Sequence, residues 1–527
     1  MLVGHLLSAA GLLLASGVLA NQVPQIDFLV RRGNSYSESK FGANFEIKEV
    51  FNAKRNEIEL ILTNQGTFYL AEVTVGSNNQ SMDVLIDTGS SDFWLLSSNV
   101  VCVDRNWLLT VSPSIITQSP LSKKRDLNRR QHPTPIKRPI KAVISDVGPA
   151  SAAQTDIQTL STYSTTNTCT LYGTFNTGTS DTFKANSSSY DFYTSFLDGT
   201  EVAGVWAVDN VLIGGISLEN VTFGVGEVAT SYPGLLGIGM EGLESTNSGP
   251  NPYTYVNFPA KLVEEGLIKR NAFSLYLTES GGTVLFGAVD TAKFQGSLFS
   301  LPLVNTLENL GYTKPIEFSV ALSGMSYNNI TIFNSNFAAT LDSGTTLSYF
   351  PVSIMNNLAS TLGAVYVPSV QLYALSCPTT SQNLTFDFNG GEINIPLNNL
   401  ISRIYGQCFL NILPKQEGDA NFLLGDNFLR HAYVVYDADA LEIAMAPIKD
   451  TTESNILVLS EFVSATPVAG YSNTKVATTD SSQSFQSTAT KLLVSQTSSK
   501  KNDGGIINAS STSLMFVFLL SIFTFIM

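Results

Sequence analysis

The chain has 527 residues, more than one ordinary core of about 100–200 residues holds, so two lobes with appended segments are expected. Charged residues make up 14% of it against a globular norm of about 25%, and Ser, Thr and Asn fill much of the polar quota, a balance that suits a glycosylated exterior protein. The formal net charge of -14 argues against a nucleic-acid binder, which needs a concentrated cationic face.

Residues 1–20 read as a signal peptide, an apolar run ending in the small-residue spacing Val18-Leu19-Ala20. Residues 21–55 read as a propeptide that carries Arg31-Arg32 and closes on Lys54-Arg55, a target for a dibasic-specific processing protease. From Thr67 the chain alternates apolar and polar residues and is punctuated by Gly, Asn and Ser turns, which predicts an all-β architecture with an N-terminal lobe over 56–240 and a C-terminal lobe over 241–450. The interval 103–168 breaks the alternation with prolines and the basic clusters Lys123-Lys124-Arg125, Arg129-Arg130 and Lys137-Arg138, so it is expected to be a long loop, either a processing site or a solvated linker. One helix is expected at Pro259–Lys269. Residues 451–502, rich in Ser and Thr and poor in aromatics, read as an unpacked or O-glycosylated stalk.

The end of the chain, Leu514–Met527, is uniformly apolar but shorter than the about 20 residues a spanning helix needs. A polar spacer and the small-residue cluster Asn502-Asp503-Gly504-Gly505 precede it, the pattern of a glycosylphosphatidylinositol (GPI) signal, with Asn502 or Gly504 as the attachment residue and 503–527 removed. A short tail-anchor helix is the competing reading. The four cysteines, Cys102, Cys169, Cys377 and Cys408, fall two in each half with no metal-ligand spacing, which gives two local disulfides and, with the signal peptide, an oxidising compartment. Sequons at Asn79, Asn186, Asn220, Asn329 and Asn383 stand in turn-like contexts.

The chemistry lies in a duplication. Asp87-Thr88-Gly89-Ser90 follows the apolar strand residues Val84-Leu85-Ile86, and Asp342-Ser343-Gly344-Thr345 follows Ala338-Ala339-Thr340-Leu341. Each has a later apolar doublet and glycine, Leu235-Leu236-Gly237 and Leu423-Leu424-Gly425. Two carboxylates held close enough to share one proton supply a base for water and an acid for the peptide carbonyl, with neither metal nor cofactor. The glycines let backbone amides reach the carboxylates, and the Ser90 and Thr345 hydroxyls stand where they can bond the outer oxygens.

The segments DTGSSDFW at Asp87–Trp94, GLLGIG at Gly234–Gly239, DSGTT at Asp342–Thr346 and FLLGDNFLRHAYVVYD at Phe422–Asp437 resemble the pepsin family over roughly residues 67–447. The basic propeptide end, the loop between paired cysteines, the stalk and the lipid signal narrow the resemblance to the fungal yapsins. It implies a bilobal fold with a central cleft, catalytic Asp87 and Asp342, and a flap closing over the peptide. It also implies cleavage beside Lys or Arg at the cell surface, with roles in processing, shedding or wall maintenance. The flap motif departs from the family, because Phe196-Leu197-Asp198-Gly199-Thr200 stands where a tyrosine and glycine are usual. Phe196 can wall the S1 pocket but cannot donate across the cleft, Asp198 is either a partner for a basic P1 residue or a turn residue, and Glu72 is either an acidic subsite group or a solvated edge charge. Trp94 is expected to be core packing that supports the flap. A peptide-binding or wall-structural glycoprotein without turnover is the competing expectation, motivated by Phe196-Leu197.

Overall fold

The alternation read along 70–87 becomes two paired strands in a computed structural model of the chain, which describes the backbone of residues 25–29 and, apart from short internal gaps, residues 69–103, 168–248, 252–459 and 463–480. In the strand Leu70–Val75 the apolar Leu70, Val73 and Val75 are buried while Glu72 faces solvent. Its partner Gln80–Asp87 runs antiparallel to it and ends on Asp87. That strand also lies parallel to Gly234–Gly237, in the register Asp87↔Gly237, and Gly234–Gly237 lies antiparallel to the start of Phe93–Cys102. The sheet continues through Ile216–Ala229, Glu201–Ile213 and Lys184–Ala185, and forms the N-terminal lobe.

The C-terminal lobe repeats the plan. Phe337–Leu341 lies parallel to Phe422–Leu424, which in turn lies antiparallel to Ser348–Phe350, so in each lobe the apolar-doublet strand sits between the motif strand and the strand that follows the motif. The fold is all-β and bilobal, buried apolar residues of both lobes belong to one continuous cluster, and within it the Phe273 ring meets those of Phe286, Phe318 and Tyr436. A seven-stranded sheet is built, in spatial order, from Gln25–Leu29, Gly281–Phe286, Ala272–Leu277, Ala432–Asp437, Glu442–Pro447, Phe299–Pro302 and Thr466–Pro467. Its first strand belongs to the expected propeptide, paired antiparallel with Gly281–Leu285, and the rest of that segment lies outside the described residues.

Two sequence expectations are corrected. The helix expected at Pro259–Lys269 runs over Phe258–Glu264, because the Asn257 side chain accepts the Ala260 N–H at its start and Gly266, at a φ of 69°, turns the chain at its end. The stretch 451–480, expected to be unpacked, is instead paired to the C-terminal lobe. Ile456–Val458 pairs with Ala288–Asp290, Thr466–Pro467 pairs with Phe299–Ser300, and Leu459 and Val468 are buried. Lys293 donates to the Thr451 carbonyl at 2.8 Å, Asp290 accepts the Asn455 N–H at 2.7 Å, and Asp480 accepts the Ser353 N–H in the first turn of the helix Val352–Leu362. Residues 481–502 of the expected stalk lie outside the described residues.

This strap packs with few apolar side chains because it adds to sheet edges that already exist. Burying Leu459 and Val468 contributes about 1.5–3 kcal/mol each. Ending the chain after Asp450 should therefore lower Tm by about 5–10 °C, whereas ending it after Asp480 should leave Tm within about 2 °C, as read by calorimetry.

Candidate active site

Each catalytic-motif strand ends in a turn whose backbone must approach the turn of the other lobe. Asp87 is anchored by its carbonyl, which accepts the Ile238 N–H at 2.8 Å, and Asp342 by its N–H, which donates to the Leu424 carbonyl at 3.0 Å. The next residues lock the lobes together. Thr88 donates its hydroxyl to the Leu341 carbonyl at 2.9 Å, and Ser343 donates its hydroxyl to the Ile86 carbonyl at 2.9 Å. The Ser343 N–H then donates to the Thr88 hydroxyl at 3.0 Å, and the Thr88 N–H to the Ser343 hydroxyl at 3.2 Å. Both side chains are buried, so these four bonds form in a water-poor setting where leaving one donor unmatched costs about 1–3 kcal/mol.

The glycines set the carboxyl approach. A Cβ on Gly89 would stand 2.6 Å from the Asp342 carboxyl carbon, and one on Gly344 would stand 2.5 Å from that of Asp87, so each lobe's glycine makes room for the other lobe's aspartate. The Gly89 N–H donates to Asp87 Oδ1 at 2.7 Å and the Gly344 N–H to Asp342 Oδ1 at 2.8 Å. The outer oxygens are held by hydroxyls, Asp87 Oδ2 by Ser90 and Asp342 Oδ2 by Thr345 at 2.7 Å. The two carboxyls thus meet from sequence positions 255 residues apart (342 minus 87) with matching supports.

Burial, and after it the charge of Asp342, push the Asp87 carboxyl well above the usual carboxylate range, against the opposing pull of the Ser90 and Gly89 hydrogen bonds. Two further groups beneath the pair, Asp426 and Tyr436, are not part of the duplicated motif. Asp426 is buried and also raised, first by burial and then by Asp342 and Asp87 against the pull of Arg430, and among the described residues its Oδ1 meets no donor. Burial keeps the Tyr436 phenol protonated.

The flap hairpin pairs Phe192–Ser195 with Glu201–Gly204, and the Phe196 N–H donates to the Thr200 carbonyl at 2.9 Å. The Phe196 ring lies 6.2 Å from the buried Trp94 ring. Trp94 is core packing beside the flap, as expected, and among the described residues its indole Nε1–H meets no acceptor. Leu197, Asp198 and Gly199 lie outside the described residues. Glu72 is solvent-exposed, opposite Asp83 in the strand register.

The cysteines pair as Cys102–Cys169 and Cys377–Cys408, with Cα atoms 6.0 and 5.2 Å apart. The first closes the long loop at its base, and residues 104–167 lie outside the described residues. Among the described residues the sequon asparagines Asn79, Asn186, Asn220, Asn329 and Asn383 are exposed. Asn79, Asn220 and Asn329 take left-handed backbone angles (φ of 55°, 52° and 65°), the conformation asparagine tolerates best after glycine. Asn502 and Gly504 lie outside the described residues.

Two lobes of duplicated plan that bring paired aspartates together define an aspartic protease. Residues 68–448 match the eukaryotic aspartyl protease family, and the chain belongs to it. It is 36% identical to aspartic proteinase 3 of Saccharomyces cerevisiae over 502 residues, covering 88% of this chain and 87% of that protein. It is also 34% identical to aspartic proteinase MKC7 and 33% identical to aspartic proteinase yapsin-3 of the same yeast, each over 83% of this chain and 77% of the relative. The chain is thus an aspartic-type endopeptidase of yapsin-like kind.

The clasp between the lobes gives a direct check. Thr88→Val should cost about 2–3 kcal/mol by leaving the Ser343 N–H without its acceptor, and Gly89→Ala should abolish peptide cleavage by forcing the Asp342 carboxyl aside. Thermal unfolding reads the first and peptide hydrolysis the second.

Proposed function

We propose that Asp87 and Asp342 carry the hydrolysis, with one proton between them. The carboxylate form takes a proton from water as that water attacks the peptide carbonyl, and the protonated carboxyl gives its proton to the carbonyl oxygen. The observation that carries this reading is the mutual approach, in which each glycine faces the other lobe's carboxyl and each outer oxygen is held by a hydroxyl. Hydrogen bonds already in place fix both acids before substrate arrives, so little reorganisation is left for the transition state.

The pH dependence follows from the direction of the Asp87 shift. The pair works while it keeps one proton, so the rate falls as pH rises through the raised Asp87 value, and that limb lies above the ordinary carboxylate value of about 4. A group raised on folding also stabilises the fold fully below its unfolded value, and that contribution is lost as pH climbs through the folded one. Asp342→Asn should lower kcat by about 10²–10⁴-fold in a peptide assay at acid pH while the protein stays folded; turnover close to that of the unmodified enzyme would remove the assignment.

The substrate reading is a peptide with Lys or Arg at P1, supported by the net charge of -14 and the exposed Glu72, with Asp198 as the proposed partner of the basic side chain. Phe196 serves as an apolar wall of the S1 pocket, with Gly199 as a further substrate-facing residue of this reading. Matched peptides with Lys or Ala at P1 should differ by at least about tenfold in kcat/KM, and equal values would contradict the preference.

The proposed setting is the secretory route and the outer face of the plasma membrane through a GPI anchor at Asn502 or Gly504, extending to the cell wall, with roles in proprotein processing, shedding or wall maintenance. The propeptide is released at Lys54-Arg55 by a dibasic-specific protease or on acidification. Cutting the basic loop between Cys102 and Cys169 would give two chains held by that disulfide. Two bands on reducing gels and one on non-reducing gels are expected; one band under both conditions would contradict cleavage.

A further inference from the structure

The family match ends at residue 448, and the strap over 451–480 lies beyond it. Its first half adds strands to sheet edges. Its second half takes a different course. The Val468 N–H donates to the Ser300 carbonyl at 3.1 Å, the Tyr471 hydroxyl donates to Glu442, and the chain then reaches the two elements that frame the second catalytic motif.

The first of these is the strand Phe337–Leu341, which runs into Asp342. Just ahead of it, the Asn336 carbonyl accepts the Ala477 N–H at 2.9 Å, and the Asn336 side chain donates to the Lys475 carbonyl at 3.4 Å. Between those contacts Val476 packs against Val304, Ala321 and Ala338. Ala338 belongs to the motif strand and stands opposite Ala321 in the sheet register, so Val476 lies on the root of that strand.

The second is the helix Val352–Leu362, which leaves the motif through the strand Ser348–Phe350. A helix start has N–H groups in need of acceptors, commonly met by the side chain at the capping position. Here that position is Pro351, which has no polar side chain, and the first turn carries no acid of its own. The acceptor comes from the strap, because Asp480 Oδ2 takes the Ser353 N–H at 3.0 Å from 127 residues away. The helix buries Ile354, Met355, Leu358 and Ala359, and its start follows directly on the strand that pairs with Leu423 of the apolar doublet.

We propose that the end of the strap braces the Asp342 motif from behind, with Val476 and Asp480 as positioning residues for peptide hydrolysis. The inference rests on Asp342 being one of the two catalytic acids. Each residue acts through an element next to the motif rather than on the substrate. Val476 holds the strand that leads into Asp342, and Asp480 holds the helix that follows the motif on its other side. Small displacements of a reacting group cost rate steeply, on the order of 10²-fold for about 1 Å. The consequence concerns release from the proposed anchor. A cut beyond residue 480 frees a working enzyme, whereas a cut between 468 and 480 silences it while both strap strands stay paired.

The test compares the full chain with Asp480→Ala, with Val476→Ser, with both changes together and with the chain ended after Val468, all assayed well below their melting temperatures. Each single change should lower kcat about threefold, and the combined variant and the shortened chain about tenfold, with KM within about twofold. Asp480→Asn keeps an acceptor for the Ser353 N–H and should restore kcat to within about twofold. Hydrogen exchange should quicken over 337–362 and stay unchanged over 80–87, a contrast that general loosening of the fold does not produce. Exchange reads the brace whether or not Asp342 carries the chemistry; if it does not, Asp342→Asn keeps its turnover, which tells the two failures apart. A kcat within about twofold in the combined variant overturns the proposal, as does exchange that quickens alike in both lobes, or an Asp480→Asn variant as slow as Asp480→Ala. Should the shortened chain fail to fold, the point variants decide by these same readouts.

Discussion

The structure turns on the reciprocal clasp in which Thr88 and Ser343 each donate to a carbonyl just before the other lobe's aspartate and each accept the other's N–H. Two acidic side chains in a buried cleft repel, and burial raises the Asp87 carboxyl well above the usual carboxylate range. The clasp is placed to oppose that repulsion, because it acts on the residues immediately after Asp87 and Asp342 and is shielded from water. The glycines and hydroxyls then decide how close the acids come and which oxygen faces which. This geometry is what the proposed sharing of one proton rests on.

The two lobes repeat a plan without being equivalent. Both motif strands run parallel to an apolar doublet strand and present a carboxyl held by a glycine N–H and a hydroxyl. The N-terminal repeat adds the flap and the buried Asp92 and Glu244, while the C-terminal repeat adds Asp426 beneath the pair. Phe196 lies against the indole of Trp94, so that side of the cleft is held by ring contact, and the indole N–H is not used by any described residue. The flap thus depends more on apolar packing than on a hydrogen bond at that point.

Much of this was legible in the residues. The repeated Asp-Thr-Gly and Asp-Ser-Gly turns, each after an apolar run and each matched by a later Leu-Leu-Gly, identify the lobes and the paired acids, because strand period and turn chemistry are local signals. Cysteines two to a half give the pairing for the same reason. The strap over 451–480 was hidden because Ser- and Thr-rich sequence with sparse apolar residues reads as solvated, and its order comes from sheet edges built by distant segments. The clasp itself was not readable, since nothing local distinguishes a threonine that donates across a lobe boundary from one in an ordinary turn. The link from Ser353 to Asp480 was equally hidden, with 127 residues between the partners, although a helix start with Pro351 and no acid of its own was a signal that could have pointed to it.

The most direct test of the shared proton is neutron diffraction from crystals grown in heavy water near pH 5. The account predicts one deuteron between the facing oxygens of Asp87 and Asp342, with deuterons from Ser90 and Thr345 directed at the outer oxygens. A separate deuteron on each carboxyl, none on either, or side chains turned away from one another would contradict it.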